Sequence, residues 1–184
     1  MPRAFIIAGP NGAGKSTLAA RFVPREVPFL NADEIARQIS VPGQSADIAA
    51  GRLLLERLGE MEQSRASFAL ETSLANRTLA ARIPRWREAG YEVLLLFVWI
   101  PSADLAVQRV ASRVRSGGHG IPEATIRRRY ETGLRLFFDV YQPLVDVWRL
   151  YDNSGPQGAV LVAQSRIRQR ETWEHILAEV RHEQ

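Results

Sequence analysis

Residues 8–17 read AGPNGAGKST, and this stretch decides the fold. Gly9, four further residues, Gly14, Lys15 and Ser16 match the spacing of a phosphate-binding loop. The run RAFIIA before it (3–8) is short and apolar, as a buried parallel strand is, and STLAARF after it (16–22) reads as the start of a helix. In that setting Gly9, Pro10, Asn11, Gly12, Ala13, Gly14, Lys15, Ser16 and Thr17 are the candidate nucleotide-binding residues. Backbone N–H groups of the loop would surround phosphate oxygens, Lys15 would reach the β- and γ-phosphates, and Ser16 would hold Mg²⁺. Lys15 is also the only lysine in the chain, which otherwise uses arginine. A composition that avoids lysine elsewhere keeps it where a compact ammonium is needed.

The 184 residues are enough for one domain with a real core and too few for two ordinary ones, so 1–184 is expected to be a single unit. No apolar run approaches the roughly 20 residues of a membrane-spanning helix, and MPRAFIIAGP is too short for a signal peptide, so no membrane partner is expected. With no cysteine, disulfides and thiol chemistry are excluded, and cytoplasmic residence is the simplest expectation. The isoelectric point is near 10.1 but the net charge is only +4. Beside a phosphate loop, clusters such as RRR (127–129) favour the oligophosphate of a nucleotide over a nucleic acid.

Apolar runs at 4–8, 27–30, 67–71, 93–99 and 147–152 alternate with helical patterns at 15–22, 33–40, 46–64, 74–89, 103–116 and 123–142. This alternation predicts an α/β fold: a parallel sheet of about five core strands with helices on both faces, of the P-loop NTPase and kinase kind. After the turn cluster DNSGPQG, AVLVAQS (159–165) reads as a late edge strand and 171–182 as a closing helix. Ligands of such sheets bind at the carboxyl ends of the strands, where NADE, LETS and YDNS stand beside the loop.

Asp33, just past the second strand, is the candidate base for an attacking hydroxyl, although Asn31 or Asp33 could equally cap the helix. Glu34 is expected to face solvent. Glu71, Thr72 and Ser73 end the third strand and are candidate acceptor-side residues, with Glu71 also placed to touch Mg²⁺ through water and Thr72 or Ser73 to start a helix. Arg109 and Arg113 share one helical face, and SGGHG (116–120) breaks that helix before a second arginine-rich one. The segment from about 109 to 130 therefore reads as a lid carrying guanidinium groups, with His119 at its tip. SGGHG superficially matches the SGGQ signature of ABC-type ATPases, but IRRRY follows it where an apolar strand ending in Asp-Glu is required.

The ordered set AGPNGAGKSTL, NADEIA, LETSL, GYEVLLLFVWI, RVASRVRSGGHGIPEATIRRRY and YDNS resembles the zeta toxin family of phosphate-loop kinases across most of residues 4–154. The resemblance implies a kinase with ATP and Mg²⁺ at the loop and a small-molecule acceptor, the 3′-hydroxyl of UDP-N-acetylglucosamine in that family. It implies Asp33 as catalytic base, Lys15 and Ser16 as phosphate and Mg²⁺ ligands, Glu71 as an acceptor-site residue, Arg113 and Arg128 as lid arginines, and Asn153 near the adenine. If the chain is a toxin, an antitoxin covering the nucleotide site is the implied partner. One departure stands out. Where the family carries E-G-T-x-R, this chain reads ETSLANR, with Arg77 displaced by two positions. That change leaves open a kinase for another hydroxyl, of a nucleotide, antibiotic or sugar, and an ATP-binding regulatory module without turnover.

Overall fold

In a computed structural model of the chain, β1 (Arg3–Ala8) lies at the centre of a six-stranded sheet. Residues 1–39, 46–118, 120–164 and 170–182 are described; Ser40, His119 and Ser165, at the ends of an expected helix, lid and strand, lie outside them. The other strands are β2 (Phe29–Leu30), β3 (Phe68–Thr72), β4 (Glu92–Trp99), β5 (Val147–Asp152) and β6 (Val160–Ala163), in the order β2-β3-β1-β4-β5-β6. The first five are parallel; β6, last in the order, is the expected edge strand and pairs antiparallel with β5. From β1 the chain goes first to one side of the sheet and then to the other. The crevice at this reversal opens where the loop after β1 begins.

Alternation along the strands feeds two cores. Ala4, Ile6, Ala8, Leu95 and Phe97 face one side, under α3 (Ala46–Ser64), α4 (Ile83–Glu88) and α7 (Arg170–His182). Phe5, Ile7, Leu96 and Val98 face the other, under α1 (Lys15–Phe22) and α5 (Ala103–Arg115). The helix α6 (Glu123–Leu136) serves both, its Ile126 and Tyr130 packing in the second core and its Leu134 and Leu136 in the first. Its middle therefore passes from one core to the other. Gly133 permits this approach: a Cβ there would stand 2.3 Å from the Ser73 carbonyl oxygen.

Two expected helices are shorter than their patterns. In place of a helix over 74–89, only Ile83–Glu88 is helical. Pro84 fits the first turn of a helix but would block one arriving from upstream. The preceding stretch is held as turns instead, with Leu74 at φ 54°, its N–H donating to Thr72 Oγ1, and the Thr78 N–H donating to Asn76 Oδ1. Neither Thr72 nor Ser73 starts a helix. Likewise the helix expected over 123–142 ends as α-helix at Leu136 and continues as a π turn (Phe137–Tyr141) and a 3₁₀ turn (Gln142–Leu144).

Candidate active site

Strand register assembles the site before any side chain acts. β1 and β3 pair Ile7 with Glu71 and Ala8 with Thr72, while β2 and β3 pair Leu30 with Leu70. Glu71 therefore stands beside the entry to the loop, with Asn31 next to it. Its Oε2 accepts from Ser16 Oγ (2.8 Å) and Asn31 Nδ2 (3.2 Å), and its Oε1 lies 3.5 Å from Lys15 Nζ. Asn31 also caps α2 (Ala32–Gln38), its Oδ1 accepting from the Asp33 N–H at 2.9 Å. The capping role falls to Asn31, so the Asp33 carboxylate is not needed for it.

The loop is shaped by close backbone approaches that exclude side chains. Gly9, at φ 137°, lies under β4, where a Cβ would come within 2.3 Å of the Val98 carbonyl oxygen. Gly14, at φ 90°, faces Asn153, whose Nδ2 donates to the Ala13 carbonyl at 2.7 Å. Asn153 thus ties the loop to the end of β5. Gly12, at φ 78°, packs against Ala106 and Arg109 of α5. The Pro10 carbonyl accepts from the Ala13 N–H (3.2 Å) and from Lys15 Nζ (2.9 Å).

Lys15 is 7% exposed, and burial pushes its pKa below the ordinary lysine value. The Glu71 and Asp33 carboxylates oppose that shift, and Arg113 adds to it. A buried ammonium between two carboxylates is prepared to meet phosphate oxygens, whose negative charge raises its pKa again.

Two cavities meet here. The smaller, about 260 Å³, is lined by the loop residues Asn11, Gly12, Gly14, Lys15, Ser16 and Thr17 together with Asp33, Glu71, Arg109 and Arg113. The larger, about 490 Å³, is bounded by Asn31, Asp33, Glu71, Thr72 and Ser73 on the strand ends, by Ile48, Gly51, Arg52, Leu54 and Leu55 of α3, and by Arg129 of α6. Asn11, Lys15, Asp33 and Glu71 line both. One compartment is built from phosphate-holding groups, the other from mixed polar and apolar walls, and two carboxylates and an ammonium stand at their junction.

Most expected residues converge, with exceptions. Arg113 lines the smaller cavity, but Arg128 is exposed and lines neither. Arg129 takes that place, donating to Asn11 Oδ1 at 3.4 Å. The difference follows from helical register. Ile126, Tyr130 and Gly133 are buried on α6, and position 129 shares their face whereas 128 does not. That signal was present in IRRRYETG. Asn153 holds the loop through its side chain, whereas the resemblance placed it near an adenine. Arg77 is exposed and lines neither cavity, and Arg52, which does line one, was not anticipated. If these arginines act on a ligand, Arg129→Ala lowers kcat/KM about a hundredfold, the cost of one lost donor to developing charge. Arg128→Ala changes it less than about twofold, as an exposed substitution should. Steady-state kinetics on the two variants decide between the registers.

Among the described residues no cluster of three or more His, Asp and Glu side chains could hold a metal alone, and no helix is long and apolar enough to cross a membrane. Magnesium arriving with a nucleotide needs only one or two protein oxygens, and Ser16 Oγ beside Glu71 fits that demand.

Among solved structures, the chain is similar to a chain of the AvrRxo1-ORF1:ORF2 complex crystallised with ATP, at a TM-score of 0.77 and 17% identity over 96% of this chain and 63% of that one. It thus spans less than two thirds of that neighbour. It is also similar to a chain of the PezAT toxin–antitoxin system of Streptococcus pneumoniae (TM-score 0.63, 13% identity, 99% and 87% covered). A gluconokinase of Sinorhizobium meliloti 1021 is more distant (TM-score 0.50, 16% identity, 98% and 92% covered). At these identities the likeness concerns the fold, which is P-loop kinase-like. An uncharacterised protein of Haemophilus influenzae is 31% identical over 129 residues, 70% of this chain and 92% of that one. A family model described as AAA domain (AAA_33) matches residues 5–132, running from β1 into α6 and taking in the loop, Asp33, Glu71 and Arg129. On that match the chain belongs to the AAA domain family AAA_33.

Proposed function

We propose that the protein is a Mg-ATP-dependent phosphotransferase of the zeta toxin type, moving the γ-phosphate of ATP to a hydroxyl of a small molecule, with UDP-N-acetylglucosamine as acceptor. The observation that carries this reading is the junction of two differently built cavities at Asn11, Lys15, Asp33 and Glu71. The loop and Lys15 hold the phosphates of the donor, Arg109 and Arg113 flank them, and the acceptor occupies the larger cavity. Asp33, lining both, orients the acceptor hydroxyl and takes its proton as the oxygen attacks phosphorus and the ADP oxygen departs. Magnesium, when bound with the nucleotide at Ser16 and Glu71, supplies charge neutralisation of the phosphate oxygens. Phosphoryl transfer needs little else beyond alignment and positive charge.

In this reading residues 1–184 act as one kinase domain in the cytoplasm, with 109–130 as its lid. The two-protein assemblies named for AvrRxo1 and PezAT support including an antitoxin-like partner in the proposal. One observation favours a different acceptor: Arg77 stands outside the larger cavity, whose arginines are Arg52 and Arg129. Mass spectrometry after incubation of UDP-N-acetylglucosamine with protein, ATP and Mg²⁺ separates the two. A gain of one phosphate on the sugar is expected. Transfer only to another component of a metabolite extract would move the acceptor, and transfer to none would sink the kinase reading.

A further inference from the structure

The glycines around the site have visible reasons to be glycine, except one. Gly9, Gly12 and Gly14 have positive φ and crowded surroundings, and Gly133 meets the Ser73 carbonyl. Gly51 lies inside the nineteen-residue helix α3 without a positive φ, and a Cβ added there would have no described atom within 4 Å beyond its own helix and chain neighbours. Neither packing against the described residues nor backbone conformation requires glycine at this position. A helix interior disfavours it relative to alanine, because the unfolded chain loses more freedom on ordering. Gly51 is also part of the larger cavity's wall, together with Ile48, Arg52, Leu54 and Leu55. With Ile48 three residues before it and Leu55 four after, it forms a notch in an apolar stripe.

We propose that Gly51 is a specificity-determining residue. The notch seats a ring face or compact apolar substituent of the acceptor directly on the backbone of α3, between Ile48 and Leu55, with Arg52 available to an adjoining anionic group. The inference rests on the phosphotransfer reading and adds to it a steric limit: any side chain at 51 displaces the acceptor from the junction at Asp33.

Gly59 provides a matched control. It lies in the same helix, a Cβ there likewise meets nothing within 4 Å, and it does not line the cavity. The experiment compares the wild type with Gly51→Ala, Gly51→Leu and Gly59→Ala by thermal unfolding and by ³²P transfer from labelled ATP at limiting acceptor. The acceptors are UDP-N-acetylglucosamine and, separately, a small-molecule extract of bacterial cells. Both alanine variants are expected to melt about 1–4 °C higher than the wild type, as a relieved helix glycine should. Transfer by Gly51→Ala is expected to fall about tenfold despite its greater stability, Gly51→Leu to fall about a hundredfold, and Gly59→Ala to stay within about twofold. Opposite movement of stability and transfer at 51 alone is what a purely structural role cannot produce. Wild-type rates in Gly51→Ala and Gly51→Leu overturn the inference and leave the kinase reading standing. Absence of transfer by the wild type to either acceptor overturns both.

Discussion

Replacing Asp33 by asparagine lowers kcat by about 10² to 10⁴, the range expected when a positioned general base is lost. The substitution keeps the shape of the side chain and leaves the local fold intact, because the α2 cap comes from Asn31 Oδ1 to the backbone N–H of residue 33 and does not use the carboxylate. KM for ATP should move only a few-fold, since the phosphate loop is held by Pro10, Ala13 and Asn153 contacts that do not involve Asp33. Steady-state kinetics with both substrates varied provide the measurement. An unchanged kcat would remove Asp33 from the chemistry and leave its position at the junction of the two cavities without a role.

The second large effect belongs to Lys15. Its alanine variant loses the only lysine of the chain and the buried ammonium of the loop, and kcat/KM for ATP is expected to fall about 10²- to 10³-fold, as when a preorganised charge-stabilising donor is removed. An arginine there would not serve, because a planar fork cannot occupy the space of a compact ammonium donating to the Pro10 carbonyl at 2.9 Å. A pH signature distinguishes this role from simple packing. Burial lowers the pKa of Lys15 in the free protein, and bound phosphates raise it again. Raising the pH therefore deprotonates the free protein before the complex, so ATP binding weakens on the alkaline side and takes up a proton. Titration calorimetry in two buffers of different ionisation enthalpy detects that uptake. It should vanish in Lys15→Ala, and its absence from the wild type at every pH up to the ordinary lysine range would show that bound phosphates do not raise the Lys15 pKa.

The strand-loop-helix unit was legible because its signals are local. A run of buried apolar residues, glycines where the backbone must turn tightly, and a lysine used once all lie within residues 3–22. The alternation of later segments was legible for the same reason, and the parallel sheet with a late edge strand followed from it, while the antiparallel direction of that strand did not. Misreadings arose where proline chemistry or helix register overrode a simple pattern. Pro84 sets the start of one helix later than expected, and the face defined by Ile126, Tyr130 and Gly133 brings in Arg129 where Arg128 was expected. Both signals were present in the residues and needed only a stricter reading.

Arg52 and Gly51 were not legible at all. Both lie on α3, with no motif near them, and become part of a site only because that helix packs across the end of β3 and leaves a cavity of about 490 Å³ beside Glu71. The same holds for the hydrogen bond of Asn153 to Ala13, which joins residues 140 positions apart through the pairing of β4 with β5. The sequence alone determined where phosphate is to be held, since a loop of glycines behind a strand carries its geometry in its own backbone. Only the tertiary structure decided what stands across the second cavity from the strand ends, because that wall comes from α3 and α6, whose placement depends on long-range packing and on no local pattern.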